Sequence, residues 1–343
     1  MSSSERFLVT GAFGCIGAWT VRRLVSEGVE VWAYDLATQP HRLHLVMSQD
    51  QLRRVHFLHA DITDGDAFER AMLDNDITHV VHLAALQIPF VKADPIRGAS
   101  VNVVGTTVVF ETVKRHSNQV RGLSYASSAG VYGPAEAYPP GPLSHDALLL
   151  PPSLYGVFKQ AAEGTAKIYW QDYEVASVGL RPYVVYGPGR DQGMTSTPTK
   201  AMLAAALGRP YHISYGGSVV FQHADDAAAA FIGAARATVS GAPVYNLGGS
   251  YATMERAVTA IEAAAPSVRG RITFEPRPLP LPADIDSQEF QRFLPTVSWR
   301  LLEQGIKETV EHFRQAHRDG LINADRILSD VAAPVEARSL PDL

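Results

Sequence analysis

Apolar positions fall along the first half of the chain in two rhythms. At 7–9, 29–34, 55–59, 80–83, 122–125 and 175–180, apolar and aromatic residues crowd into short stretches bounded by glycine or polar residues. Such stretches predict strands covered on both faces. Between them the spacing changes to three and four. Ile16, Trp19, Thr20, Leu24 and Val25 mark one face of a helix over 16–27, which Gly28 stops. Further helices are predicted over 64–73, 96–115 and 154–173. Strand alternating with helix predicts an α/β fold built on a doubly wound parallel sheet.

Beyond Arg181 the rhythm fades. Gly187, Pro188, Gly189 and Gly193 mark a long loop, followed by predicted helices over 199–207 and 225–238 and a strand over 243–247 that returns to the sheet. Four prolines at 276, 278, 280 and 282 demand an extended segment. A last helix is predicted over 301–317, then a polar, proline-punctuated tail. The resulting division is a nucleotide-type domain over 1–180, rejoined by 219–250. A small C-terminal lobe is formed by 181–218 and 251–325, and 326–343 is a tail.

Composition narrows the function classes. Hydrophobic residues make up 46% of 343, enough to exclude a disordered chain. The balance of 30 basic against 35 acidic residues shows no basic stripe, so no nucleic-acid partner is expected. No apolar run approaches the ~18 residues of a transmembrane helix, and the start lacks a secretory signal, so a cytoplasmic protein without a membrane partner is expected. The single cysteine excludes an intrachain disulfide framework. His41/His44 and His56/His59 have ligand-like spacings, but surface or structural roles account for them, and no metal is expected.

The first candidate chemistry is a glycine loop. Gly11, Gly14 and Gly17 sit between the first strand and the first helix, with Phe13, Cys15 and Ile16 among them. Glycines there permit a tight turn, and the helix start offers free amides to a pyrophosphate. The spacing alone is equally compatible with a plain turn. Asp35, at the end of the second strand, strengthens the Rossmann reading. A carboxylate there accepts the ribose hydroxyls of NAD and repels the extra phosphate of NADP. A helix cap is its bland alternative. Cys15 reads as packing behind the loop.

The second is a proton-transfer set. Tyr155 and Lys159 stand at i and i+4 and share a helix face. A phenol titrating near ~10 is a poor base at neutral pH, and an adjacent ammonium draws that value down. The same spacing occurs by chance on many helices. Ser127 and Ser128 follow a predicted strand, at the sheet edge where open α/β folds bind ligands.

These residues together resemble the extended short-chain dehydrogenase/reductases, the NAD-dependent epimerase/dehydratase family, over about residues 6–320. The glycine loop, Asp35, Asp61-Ile62, His82-Leu83-Ala84-Ala85, Asn102, Ser127-Ser128-Ala129, Tyr155/Lys159, Arg181-Pro182 and Tyr245-Asn246-Leu247-Gly248 carry the likeness. The resemblance implies NAD as cofactor. It implies that Gly11, Gly14 and Gly17 hold the pyrophosphate, Asp35 the adenosine ribose, and Asp61 and Ile62 the adenine. Leu83, Ala84 and Ala85 would line the cofactor, and Pro182, Val184 and Val185 would border the nicotinamide. Tyr155 would be the acid/base, tuned by Lys159, with Ser128 positioning the reacting oxygen, Ser127 beside it, and Asn102 supporting the site. It also implies a homodimer through the helices over 96–115 and 154–173, with Leu154, Val157, Phe158 and Ala161 near the interface or core.

The chain departs from nucleotide-sugar members further on. Val184 stands where they carry an asparagine, and Val219-Val220 where they carry Arg-Asp. Of their later Arg-Pro-Gly-Asp only Arg277-Pro278 survives. Valine cannot replace a guanidinium on a diphosphate. A smaller carbohydrate-like substrate is therefore expected: a free sugar, sugar acid, polyol or related hydroxy-ketone. Gln87, Tyr132, Arg190, Asp191 and Thr195 are its candidate contacts, alongside Ser128 and Tyr155. An inward-facing Arg190 would suit an anion. The favoured reaction is net NAD-dependent dehydrogenation by Ser-Tyr-Lys chemistry. Sugar or nucleotide-sugar epimerisation on tightly bound NAD is the alternative. Ala129-Gly130 replaces the Asp-Glu pair of dehydratases, and retention of both Tyr155 and Lys159 opposes a non-catalytic NAD-binding regulator.

Overall fold

Six strands form close to the predicted apolar stretches: β1 (Arg6–Thr10), β2 (Glu30–Asp35), β3 (Val55–His59), β4 (His79–His82), β5 (Gly122–Ala126) and β6 (Val178–Arg181). After them come β7 (Val184–Tyr186), β8 (Tyr211–Ile213), β9 (Ser218–His223), β10 (Val244–Asn246), β11 (Ser250–Thr253) and β12 (Ile272–Phe274). This computed structural model describes residues 5–329. The predicted tail from residue 330 lies outside the described residues, while 326–329 finish a short helix, Ala324–Ser329.

Seven strands form one parallel sheet in the order β10-β6-β5-β4-β1-β2-β3. The strand order reverses between β1 and β4, which opens a crevice beyond their carboxyl ends. Side chains alternate across β1. Phe7 and Val9 enter one core and Leu8 the other, all three fully buried. Burying each contributes roughly 1.5–3 kcal/mol. Helices Cys15–Ser26 and Ala224–Arg236 cover the first face. Gly65–Leu73, Gly105–Arg115 and Leu154–Tyr173 cover the second.

Three expectations are corrected. The helix predicted over 96–115 is broken into Pro95–Ala99, a π-helical turn at Ser100–Val104, and Gly105–Arg115. An extra residue in the turn lets Asn102 face inward and bind the backbone of Leu86, a demand invisible to periodicity. Of 219–250, only β10 joins the large sheet. β9 instead sits in a three-stranded sheet, β11-β9-β7. The region after Arg181 is also more regular than its pattern suggests. It carries the unpredicted helix Met254–Ala264 and the β8–β12 pair. The proline segment stays extended as expected, and its Pro282 carbonyl accepts the Tyr183 hydroxyl at 2.8 Å.

Candidate active site

The glycine loop is shaped by backbone against backbone. Gly11 has φ of 65°, and a Cβ there would lie 2.7 Å from the amide nitrogen of Ala84. A Cβ on Gly17 would lie 2.2 Å from the carbonyl oxygen of Gly11. Gly14 caps helix Cys15–Ser26 without any side-chain cap, so its first-turn amides lack intrahelical partners. Asp35 braces the loop from β2. One carboxylate oxygen accepts the Phe13 amide at 2.8 Å and the other the Ala37 amide at 3.0 Å. Burial raises its pKa, and these amides partly offset the shift. Free amides at a helix start, no side chain at Gly14 and a carboxylate at the end of β2 fit a dinucleotide with unmodified ribose. Ile62 is buried beside this region, and Asp61 accepts both the amide and hydroxyl of Thr63. Cys15 is half-buried, its thiol pushed up to about 11 by burial, so it is no nucleophile.

Arg42 was missed by sequence reasoning. It donates to the Phe13 carbonyl at 2.9 Å and pairs with Asp191 at 2.6 Å, tying the glycine loop to the loop after β7. Its short helix, His41–Val46, is too brief for periodicity to reveal. His41 also meets Asp191, at 3.5 Å, which accounts for one of the ligand-like histidines. His56 stacks on Trp32 at 4.5 Å, which accounts for another. Among the described residues, no group of three His, Cys, Asp or Glu side chains is placed to hold a metal ion.

The Leu83–Ala85 segment is fixed by a buried polar chain. Thr10 Oγ1 accepts the amides of Leu83 and Ala84, both at 3.2 Å, which leaves its proton for His82 Nδ1 at 2.8 Å. Thr106 donates its own proton to the Asn102 carbonyl, so His82 Nε2 carries the proton facing Thr106. Burial pushes His82 down to about 3, and it stays neutral. Asn102 spends its amide on Leu86, accepting at 2.7 Å and donating at 2.9 Å. It therefore acts by positioning the segment that leads to Gln87.

Helix Leu154–Tyr173 starts at Ser153, whose hydroxyl accepts the Gly156 amide. This places Tyr155 and Lys159 on the turns facing the end of β5. Ser128 Oγ accepts the Gly130 amide at 3.0 Å, and both that oxygen and the Tyr155 ring pack against Gly130. Burial holds Tyr155 above the ordinary phenol range, opposed by the Ser128 hydroxyl and the charge of Arg190. Lys159 Nζ donates to the Ala126 carbonyl at 2.6 Å, lies 5.8 Å from the Tyr155 ring centre, and is drawn down to about 8 by burial. The sequence expectation named Lys159 as the cation tuning Tyr155; here the cation lowering it is Arg190.

Two expected contacts are spent inside the protein. Tyr132 is fully buried; its hydroxyl donates to Asn246 Oδ1 at 2.6 Å and accepts from Arg181 Nη1 at 2.6 Å, so it has no surface for substrate. Ser127 Oγ donates to Glu163 at 2.5 Å. Glu163 and Arg181 are paired through two bonds of 2.7 Å, both side chains over nine-tenths buried. Pro182 accepts the Ala129 amide at 2.9 Å, beside Ser128. Val184 is fully buried in β7 and offers no side-chain surface to a nicotinamide; Val185 is nearly as buried. By contrast, Gln87, Arg190 and Thr195 come together. Arg190 donates to Gln87 at 3.4 Å and to Thr195 at 3.0 Å.

Residues 7–248 match the NAD dependent epimerase/dehydratase family. The chain belongs to that family. It is an NAD-dependent enzyme of the extended short-chain dehydrogenase/reductase type. A UDP-glucose 4-epimerase of Mycolicibacterium smegmatis is 31% identical over 90% of this chain and 98% of its own length. The UDP-glucose 4-epimerase of Thermus thermophilus, solved as a complex with NAD, is 27% identical with a TM-score of 0.73, covering 91% of this chain and 99% of that one. The L-threonine dehydrogenase of Clostridium difficile shares the fold, with a TM-score of 0.79 at 20% identity over 91% of this chain and 98% of that one. Among the described residues of this family member, no helix is long and apolar enough to cross a membrane.

Proposed function

We propose that this enzyme oxidises a secondary alcohol of a sugar or nucleotide sugar and reduces the resulting ketone again, inverting the carbon on a retained cofactor. The observation carrying this reading is the convergence of Ser128 Oγ and the Tyr155 ring on Gly130 at the carboxyl end of β5, with Lys159 bonded to the Ala126 carbonyl beside them. The near full-length likeness to a UDP-glucose 4-epimerase supports epimerisation over the net dehydrogenation that the sequence alone ranks first. NAD, held by the glycine loop and Asp35, supplies the hydride acceptor when bound. Ser128 positions the substrate oxygen, and Tyr155, as the phenolate, takes its proton as the C–H bond breaks and the carbonyl forms. The ketone turns to present its opposite face, and on return Tyr155 gives the proton back. Lys159 holds the cofactor ribose. Orientation supplies much of the rate enhancement. In this reading 1–180 holds the cofactor, and 181–218 with 251–325 encloses the substrate.

A second reading, net dehydrogenation of a smaller alcohol, is favoured by Val184 and Val219. Both are fully buried, where nucleotide-sugar members carry a polar pair. Incubation with NAD and a panel of sugars, sugar acids and UDP-sugars separates the two. Isomerised product without net NADH supports epimerisation, and stoichiometric NADH supports the second reading. Tyr155→Phe should lower either turnover by at least 100-fold while NAD still binds; equal turnover overturns the acid/base assignment.

We further infer a cytoplasmic homodimer. Ile96, Val104, Leu154, Val157 and Ile168 expose apolar surface along the helices expected to pair.

A further inference from the structure

Arg190 differs from the other arginines of the site. Arg42 and Arg181 have carboxylate partners, Asp191 and Glu163. Arg190 has none within 4 Å among the described residues; its neighbour Asp191 is turned onto Arg42 and His41. Thr195 and Gln87 hold the two ends of its fork as neutral acceptors. Its Nε is buried with no partner at all. A second orphan stands in the same region: Tyr215, only 3% exposed, whose buried hydroxyl also lacks a partner. Thr197 Oγ1 accepts the Ser214 amide at 3.3 Å, which seats Tyr215 beside the turn that carries Thr195, and the charge of Arg190 is felt at the hydroxyls of both Tyr215 and Tyr155.

Both orphans are donors. A buried N–H and a buried O–H left unmade are costly, and an unbalanced guanidinium more so. The group that satisfies them together is an acceptor with negative charge and more than one oxygen, which describes a carboxylate. We propose that Arg190 and Tyr215, with Arg190 steadied by Thr195 and Gln87, form a subsite for a carboxylate on the substrate, close to the alcohol that faces Tyr155. The substrate class is thereby a sugar acid, free or nucleotide-linked. This rests on the redox reading of Tyr155 and Ser128 for where the substrate lies.

The test uses matched pairs that differ only in the carboxylate: D-glucuronate against D-glucose, D-galacturonate against D-galactose, and UDP-glucuronate against UDP-glucose. Each is titrated calorimetrically into the NAD-loaded protein. At least one acid should bind at least tenfold tighter than its neutral partner. Arg190→Gln should weaken that acid by about 10- to 100-fold, the range for losing a charged hydrogen bond, and change the neutral sugar little. Arg190→Lys, with the charge but not the fork, should fall between. Tyr215→Phe keeps the ring in its buried seat and should weaken the acid several-fold. No preference for any acid overturns the proposal, including no binding of any acid. So does an Arg190→Gln loss equal for acid and neutral partner, or a loss confined to NAD affinity. Tyr155-dependent turnover of neutral sugars alone sinks this subsite but leaves the redox reading standing. Arg190-dependent acid binding without turnover of any compound does the reverse.

Discussion

Removing the carboxylate of Glu163 strands one of the most deeply buried charges in the protein. Arg181 is 4% exposed and Glu163 8%. Burial alone works against the Arg181 cation, yet Glu163 more than reverses this and leaves its pKa above the ordinary value. Glu163→Ala deletes two charge-assisted bonds of 2.7 Å and the 2.5 Å bond from Ser127. Arg181 keeps only Tyr132 and the His145 carbonyl, both through Nη1. Two charged bonds at about 1.5–3 kcal/mol each, and about 3–5 kcal/mol for breaking a buried pair, lead to an expected loss of about 4 kcal/mol. The assay is urea unfolding, read from the midpoint at constant slope. A double variant, Glu163→Leu with Arg181→Met, leaves no stranded charge and should lose less than Glu163→Ala alone. Turnover should also fall in Glu163→Ala, because Ser127 adjoins Ser128. A single-variant loss under about 1 kcal/mol, or a double variant that simply sums the two single losses, refutes the reasoning.

Gly17→Ala drives a methyl to 2.2 Å from the Gly11 carbonyl, and NAD affinity measured by titration should fall at least tenfold; unchanged affinity refutes the loop geometry. His82, His79 and His223 are pushed down to about 3, 4 and 3, chiefly by burial. The unfolded chain takes up protons near 6.5 while the folded chain does not. Stability should therefore fall as pH drops below 6.5, by up to ~1.4 kcal/mol per pH unit for each group. Urea midpoints unchanged from pH 6.5 to 4.5 would contradict this. Sedimentation should give about twice the 37.2 kDa chain mass, and Leu154→Glu with Val157→Glu should halve it; a wild-type monomer removes the dimer.

Much of the fold and half of the site were legible in the residues themselves. Strands covered on both faces need apolar residues at nearly every position, so β1, β2, β4, β5 and β6 announced themselves, and a parallel sheet of that kind needs helices between its strands. The glycine loop and Asp35 were legible for a related reason: backbone crowding at Gly11 and Gly17 leaves no residue but glycine. Tyr155 and Lys159 were legible because a helix turns once in four residues.

What the sequence could not decide were partnerships between distant residues. Tyr132 looked available to substrate until Arg181 and Asn246, 49 and 114 residues away, proved to hold its hydroxyl. Arg42 drew no attention until Asp191 met it across 149 residues. Arg190 and Asp191 stand side by side in the chain, yet Asp191 is turned onto Arg42 while Arg190 meets only neutral acceptors. Local spacing records which side chains share a face. Only the packed chain decides which charges are answered, because burial sets that requirement and burial is a property of the whole fold.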